Sequence, residues 1–132
     1  MNDEVSLYQE VGGSDFFVEL VNKFYEGVIN DEVIISLYPD RTDLAGAKER
    51  LSLFLIQYWG GPTTYSDERG HPRLRQRHFP FSIGERERDH WLMHMAAAIE
   101  QTISEIDEAY REHVTTELAN YMVNAAEAMR NV

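Results

Sequence analysis

The chain has 132 residues, no cysteine and a formal net charge of −11. That length suits one domain over residues 1–132, with material for one core and not for two. The missing thiols exclude disulfides, zinc–thiolate fingers, iron–sulfur clusters and a cysteine nucleophile, and the negative charge disfavours nucleic acid and anionic membranes, both of which call for a basic face.

The apolar residues recur at helical spacing nearly throughout, with no convincing alternating strand. Residues 1–10 are acidic and amphipathic, without the basic start and apolar stretch of a signal peptide, so the expected location is the cytoplasm. Gly12-Gly13 ends a short first helix. Ser14 is then placed to cap a second helix carrying Phe17, Leu20, Phe24 and Val28. Asn30-Asp31 restarts a short helix that ends near Tyr38-Pro39. Asp43 is the expected cap of the next, whose apolar positions are Leu44, Ala47, Leu51, Phe54, Leu55 and Tyr58. Gly60-Gly61-Pro62 stops it, and the polar stretch from Thr63 to Gly70 reads as irregular. Pro72 suits the first position of a short helix that Pro80 terminates just after His78. Glu85 and Glu87 open a long helix with the inward stripe Trp91, Met95, Ala98, Ile99, Thr102 and Ile106. The last helix begins near Asp107 and carries Tyr110, Val114, Leu118, Tyr121, Met122, Ala125 and Met129. Residues 60–84 are long for a connection in a small helical protein, and their aromatic and aliphatic content predicts an ordered segment that packs on something.

Three groups of residues carry chemistry. His78 lies four residues after Leu74, on the same helical face, and is followed by Phe79, Phe81 and Ile83. A neutral imidazole bordered by apolar side chains suits the proximal position of a haem iron; the plainer reading is a helix-end histidine. Tyr25, Tyr38 and Trp91 are large rings with hydrogen-bond donors, equally consistent with ordinary core aromatics. His90 and His94 share a helix face at metal-ligand spacing, but without the glutamate of a His-Glu-x-x-His site they read first as a solvated face. His113 reads as surface and His71 as a local cap. The cluster Arg69, Arg73, Arg75 and Arg77 is either a solvated loop or a receptor for a small anionic group. No nucleotide-binding glycine motif or nucleophile elbow is present.

Taken in order, Phe24-Tyr25, Tyr38-Pro39, Asp43-Leu44-Ala45-Gly46-Ala47, Arg50-Leu51, Gln57-Tyr58-Trp59-Gly60-Gly61-Pro62, Arg69-Gly70-His71-Pro72-Arg73-Leu74-Arg75, Arg77-His78 and Trp91-Leu92 resemble the group II truncated haemoglobins, over a span from about Val5 to Met129. The resemblance implies an all-α truncated globin, a two-over-two helical sandwich around haem b. In that family His78 matches the proximal iron ligand, and Tyr25, Tyr38 and Trp91 match polar residues on the opposite, ligand-binding face. Ala47 stands where many globins place a distal histidine. Arg50 and Arg77 match positions near the haem propionates, with Tyr65 beside them, and Leu51, Phe54, Leu55, Leu74, Phe81 and Met95 are expected to line the pocket. The implied function is binding of dioxygen, of a transport or storage type, with carbon monoxide and nitric oxide as further guests. The alternative on the same haem is a redox enzyme, a peroxidase or nitric oxide dioxygenase using peroxide or a reductase. Exposed helix faces leave homo-oligomer formation open. Readings from other classes are a haem-free interaction module and a zinc protein built on His90 and His94.

Overall fold

In the computed structural model, residues 5–39 and 44–132 are described, and every regular element among them is helical. Helix α1 (Leu7–Glu10) is a single turn. It is closed by a capping box in which Ser6 Oγ accepts from the Gln9 amide at 3.2 Å and Gln9 Oε1 accepts from the Ser6 amide at 3.1 Å. Helix α2 (Ser14–Val28) follows directly. Its cap is Gly13, at φ 103°, a left-handed conformation that suits glycine. Ser14, the expected cap, is instead the first helical residue, and its Oγ meets Tyr8 Oη at 3.0 Å. The predicted apolar stripe of α2 is fully buried: Phe17, Leu20, Phe24 and Val28 are each 0% exposed, and Val21 beside them is too.

Helix α3 (Glu32–Ile35) is capped by Asp31, whose Oδ1 accepts from the Val33 amide at 3.0 Å. It is shorter than expected. Leu37 and Tyr38 follow it in turns that donate to the Ile34 and Ile35 carbonyls. Helix α4 (Ala45–Tyr58) begins after the buried Leu44. Asp43, expected to cap it, lies outside the described residues.

Two short helices depart from the sequence reading. Thr64–Arg69, expected to be irregular, forms α5. Its organiser is Gln57 of α4: Gln57 Oε1 accepts from the Ser66 amide at 2.9 Å and its Nε2 donates to Ser66 Oγ at 2.7 Å. A side chain from another helix thereby satisfies a backbone N–H of the first turn, and no local pattern announces it. Helix α6 (Leu74–His78) begins two residues after Pro72, because Arg73 sits at φ 45° and interrupts the turn. The helix stops ahead of Pro80, as expected.

Helix α7 (Glu85–Thr102) opens with Glu87 Oε1 accepting from the Gly84 amide at 2.8 Å. Met95, Ala98, Ile99 and Thr102 are buried along it, and the Thr102 hydroxyl donates to the Ala98 carbonyl at 2.7 Å. A short 3-10 turn (Ile103–Glu105) ends the stripe, so Ile106 enters the core from beyond the helix. Helix α8 (Glu108–Ala128) is capped by Asp107, which accepts from the Ala109 amide at 2.9 Å. Val114, Leu118 and Met122 are buried, whereas Tyr110, expected to face inward, stands at the exposed first turn.

Helix α2 packs on α4, α7 packs on α8, and the α2–α7 interface joins the two pairs, giving the expected two-over-two sandwich. The short elements attach to this frame, α3 against α7 and α5 against α4. Asn131 ties down the segment after α6. Its Oδ1 accepts from the Ile83 amide at 2.9 Å. Its Nδ2 donates to the Phe81 carbonyl at 2.7 Å and, at 3.4 Å, to the carbonyl of His78. The Asn131 amide closes the loop on the Ile83 carbonyl at 2.9 Å. Asn131→Ala is expected to lower stability by about 1–3 kcal/mol, the cost of leaving partly buried backbone groups unpaired. Urea unfolding measures that loss, and faster exchange of the Ile83 amide locates it.

Candidate functional site

The sandwich does not close on itself. A cavity of about 560 Å³ lies between its helices, within the range typical of small-molecule and cofactor sites. Helix α2 contributes Tyr25, and the α3 region contributes Ile34, Leu37 and Tyr38. Helix α4 contributes Ala47, Arg50, Leu51, Phe54 and Leu55, and α5 contributes Tyr65 and Arg69. Leu74, Arg77 and His78 of α6, with Phe81 and Ile83 after it, form another wall, and Trp91 of α7 joins them. Every site residue expected from the sequence lines this one space except Met95. Met95 is 1% exposed and belongs to the core with Ala98 and Ile99. The α7 stripe that carries Trp91 to the cavity runs on past its edge, so the next residue along it packs against helices instead.

His78 sits at the end of α6 with its Nδ1 2.6 Å from the Leu74 carbonyl oxygen. A carbonyl only accepts, so Nδ1 carries the proton and donates. In the neutral ring the lone pair is then on Nε2, and no described group hydrogen-bonds that nitrogen. The i−4 spacing of Leu74 and His78, visible in the sequence, makes this bond, and it also fixes the plane of the ring.

Tyr25 and Tyr38 meet hydroxyl to hydroxyl at 2.9 Å, with their rings edge to face at 5.7 Å. Burial raises the pKa of both phenols well above the ordinary value. For Tyr25 the neighbouring Tyr38 adds to the effect and the Arg50 guanidinium opposes it. Both therefore keep their protons at neutral pH. Trp91 packs on Phe24 with ring centroids 5.3 Å apart, and no described residue accepts from its indole N–H.

The arginine cluster divides. Arg69 and Arg77 line the cavity together with Arg50 and Arg88. Arg77 also braces the preceding loop, donating from Nε to the Pro72 carbonyl at 2.7 Å and from Nη2 to the Arg69 carbonyl at 3.3 Å. Arg75 instead lies over the ring of the exposed Phe79, and Arg73 is the left-handed residue before α6. Arg88 is engaged by Asp89 and Glu127.

His90, with its side chain 37% exposed, keeps part of the solvated face expected of it, whereas His94 is covered, and the pair meets a carboxylate. Both donate to one oxygen of Asp31: His90 Nδ1 at 2.8 Å and His94 Nε2 at 2.7 Å from Oδ2. The His94 and Asp31 side chains are only 14% and 11% exposed. No group of three or more His, Cys, Asp or Glu among the described residues is arranged to hold a metal ion, which removes the zinc reading there. His71 Nδ1 accepts from the Arg73 amide at 3.0 Å, a local cap as expected, and the exposed His113 reaches Glu10.

The sequence reading missed part of the wall. Tyr121, Met122, Ala125 and Met129 of α8 and its flank line the cavity, although their shared helical stripe was visible. Burial, with Tyr58 beside it, pushes the Tyr121 phenol up to about 12. Asn131, which holds the segment carrying His78 and Phe81, left no local signal.

Comparison with known proteins agrees with this geometry. The family described as bacterial-like globin matches residues 6–125. The group 2 truncated hemoglobin YjbI of Bacillus subtilis is 36% identical over 131 residues, covering 97% of this chain and 96% of that protein. Among solved structures, a thermostable hemoglobin from Thermobifida fusca is 51% identical with a TM-score of 0.88, covering 97% of this chain and 98% of that one. A truncated oxygen-avid haemoglobin from Bacillus subtilis is 31% identical with a TM-score of 0.83, covering 96% and 100%. The fold and its cavity are those of a globin with haem as cofactor, which binds small diatomic gases at the haem iron. The chain belongs to the bacterial-like globin family, among its group II truncated haemoglobins.

Asp31 gives the site's surroundings a pH dependence. Burial alone would raise its carboxyl, but hydrogen bonds from His90, His94 and the Val33 amide outweigh that and hold it at about 2, below the usual aspartate range. A carboxyl with a depressed folded-state pKa contributes stability that is complete above its unfolded value and is lost as pH falls toward its folded value. Asp31→Asn is therefore expected to flatten the acid limb of the stability profile between about pH 4 and pH 2, as measured by chemical denaturation at a series of pH values.

Proposed function

We propose that the cavity would hold haem b with His78 as the residue that binds its iron, and that Tyr25, Tyr38 and Trp91 donate hydrogen bonds to a diatomic guest, dioxygen foremost, which the protein holds tightly. The single observation that carries this reading is the His78 ring, whose Nδ1 proton is committed to the Leu74 carbonyl while its Nε2 lone pair is left without a partner on a largely apolar cavity. That is the donor a haem iron takes, and the carbonyl behind it fixes tautomer and orientation. When bound, haem supplies the iron centre at which the gas ligand is taken up.

The rest of the pocket fits the same group. Leu51, Phe54, Leu55, Leu74 and Phe81 supply apolar walls for a flat macrocycle. Arg50 and Arg77, with Tyr65 nearby, supply cationic and hydroxyl groups for the two propionates. Ala47 leaves the distal wall without an imidazole, so polarity there comes from the two phenols and the indole. The Tyr25–Tyr38 bond uses one hydroxyl proton and leaves the other to donate, and the Trp91 N–H is a further donor. Hydrogen bonds of this kind contribute about 1–3 kcal/mol each where charge develops on the acceptor. The likeness to the oxygen-avid haemoglobin supports a retaining rather than a delivering role.

His78→Ala is expected to lose the ferrous absorption spectrum of the haem-loaded parent; its retention would move the iron-binding role to another side chain. Tyr25→Phe and Trp91→Phe should each raise the dioxygen off-rate about 10- to 100-fold, as read by stopped-flow displacement. Off-rates equal to the parent protein in both variants would defeat the proposed donor set.

A further inference from the structure

Asp31, His90 and His94 are not on the cavity wall, yet they join the elements that bring two of its donors there. Asp31 Oδ1 caps α3 at the Val33 amide, while Oδ2 gathers His90 and His94 of α7. His94 is itself seated against α2: a Cβ on Gly27 would fall 2.5 Å from its Nδ1, so only glycine admits the ring this close. Helix α3 has four residues, too few to keep its place by its own hydrogen bonds, and its packing is chiefly on α7. The turns that leave it deliver Leu37 and Tyr38 to the cavity. On α7, His90 immediately precedes Trp91 and His94 follows three residues later, so the indole rises from the same helical turn as the two imidazoles. One carboxylate thus pins both the turn that carries Tyr38 and the turn that carries Trp91.

From this juxtaposition we infer that Asp31, with His90 and His94, is a positioning device for the distal donors, setting the Tyr25–Tyr38 hydroxyl pair in register with the Trp91 indole. The inference rests on the reading of Tyr25, Tyr38 and Trp91 as donors to the guest. The carboxylate is suited to the task because it takes three N–H donors on its two oxygens, from two different elements, with Asp31 and His94 largely covered and His90 at the solvent edge. Multiple charge-assisted bonds fix direction as well as distance. A displacement of the phenol by a fraction of an ångström is enough to change what a bound guest meets.

Two variants separate the clamp from the helix cap. Asp31→Asn keeps an oxygen for the Val33 amide and removes the charge that gathers the histidines. The His90→Ala/His94→Ala double variant removes the donors and leaves the cap intact. Both are compared with the parent and with Tyr38→Phe as haem-loaded proteins carrying carbon monoxide. The readouts are the infrared C–O stretching band, which reports distal polarity, and amide exchange at Leu37 and Tyr38. Both clamp variants are expected to move or split the band in the same direction as Tyr38→Phe. They should also speed exchange of the Leu37 and Tyr38 amides by roughly tenfold or more while the Ile99 amide stays protected. A lowered melting temperature with an unmoved band would make the trio merely structural and overturn the inference. A band that moves in Tyr38→Phe but in neither clamp variant overturns the clamp and leaves the donor reading standing; a silent Tyr38→Phe overturns both.

Discussion

Helix α2 is the member against which the remainder is placed. Five of its residues, Phe17, Leu20, Val21, Phe24 and Val28, have no solvent exposure, and both α4 and α7 pack on it. Burying so much apolar surface on one helix is the dominant favourable contribution in a chain of this size. It has a geometric corollary. With α4 and α7 held to α2, residues between Gly60 and Gly84 are left to span the remaining side, and the short α5 and α6 do so without filling it. The cavity is what that arrangement leaves open, and Tyr25 is the residue of α2 that turns toward it.

Opposing demands are divided among its walls. The α6 wall presents a ring nitrogen free of partners, because the other nitrogen is taken by a backbone carbonyl only one turn away. The wall formed by α2, α3 and α7 presents protons that stay in place, because burial makes ionisation of the two phenols unfavourable. The arginines along α4, α5 and α6 give an otherwise acidic protein a local positive rim. The histidines on α7, by contrast, have their chemistry absorbed by Asp31.

Much of this is legible in the residue order because it is local. The stripes of α2, α7 and α8 repeat every three or four residues, and the Leu74–His78 contact is itself one helical turn. The resemblance across Phe24-Tyr25, Tyr38-Pro39 and Arg77-His78 brought together residues that the fold does place around one space. What escaped was non-local. Helix α5 forms because Gln57 reaches across to it, although its own residues show no amphipathic period. Asp31 lies 59 residues before His90, so nothing near the histidines in the sequence marks the carboxylate that both of them meet. Asn131 is 53 residues from the His78 carbonyl that it approaches. Met95 failed for a geometric reason: periodicity places a residue on the inner face of a helix but does not say where along that face a cavity ends.

The contact between Tyr25 and Tyr38 has one further consequence. Each oxygen is able to give or take the shared proton, so the bond runs in either sense without any ring moving. When both hydroxyls rotate to reverse it, each oxygen keeps its own hydrogen and the outward-pointing O–H passes from one ring to the other, whose oxygen is 2.9 Å away. The wall therefore behaves like a compass needle with two rest positions. Under the proposed donor role, visitors that tilt differently, or whose two atoms differ in basicity, meet a donor that follows them by hydroxyl rotation alone, while the scaffold stays rigid.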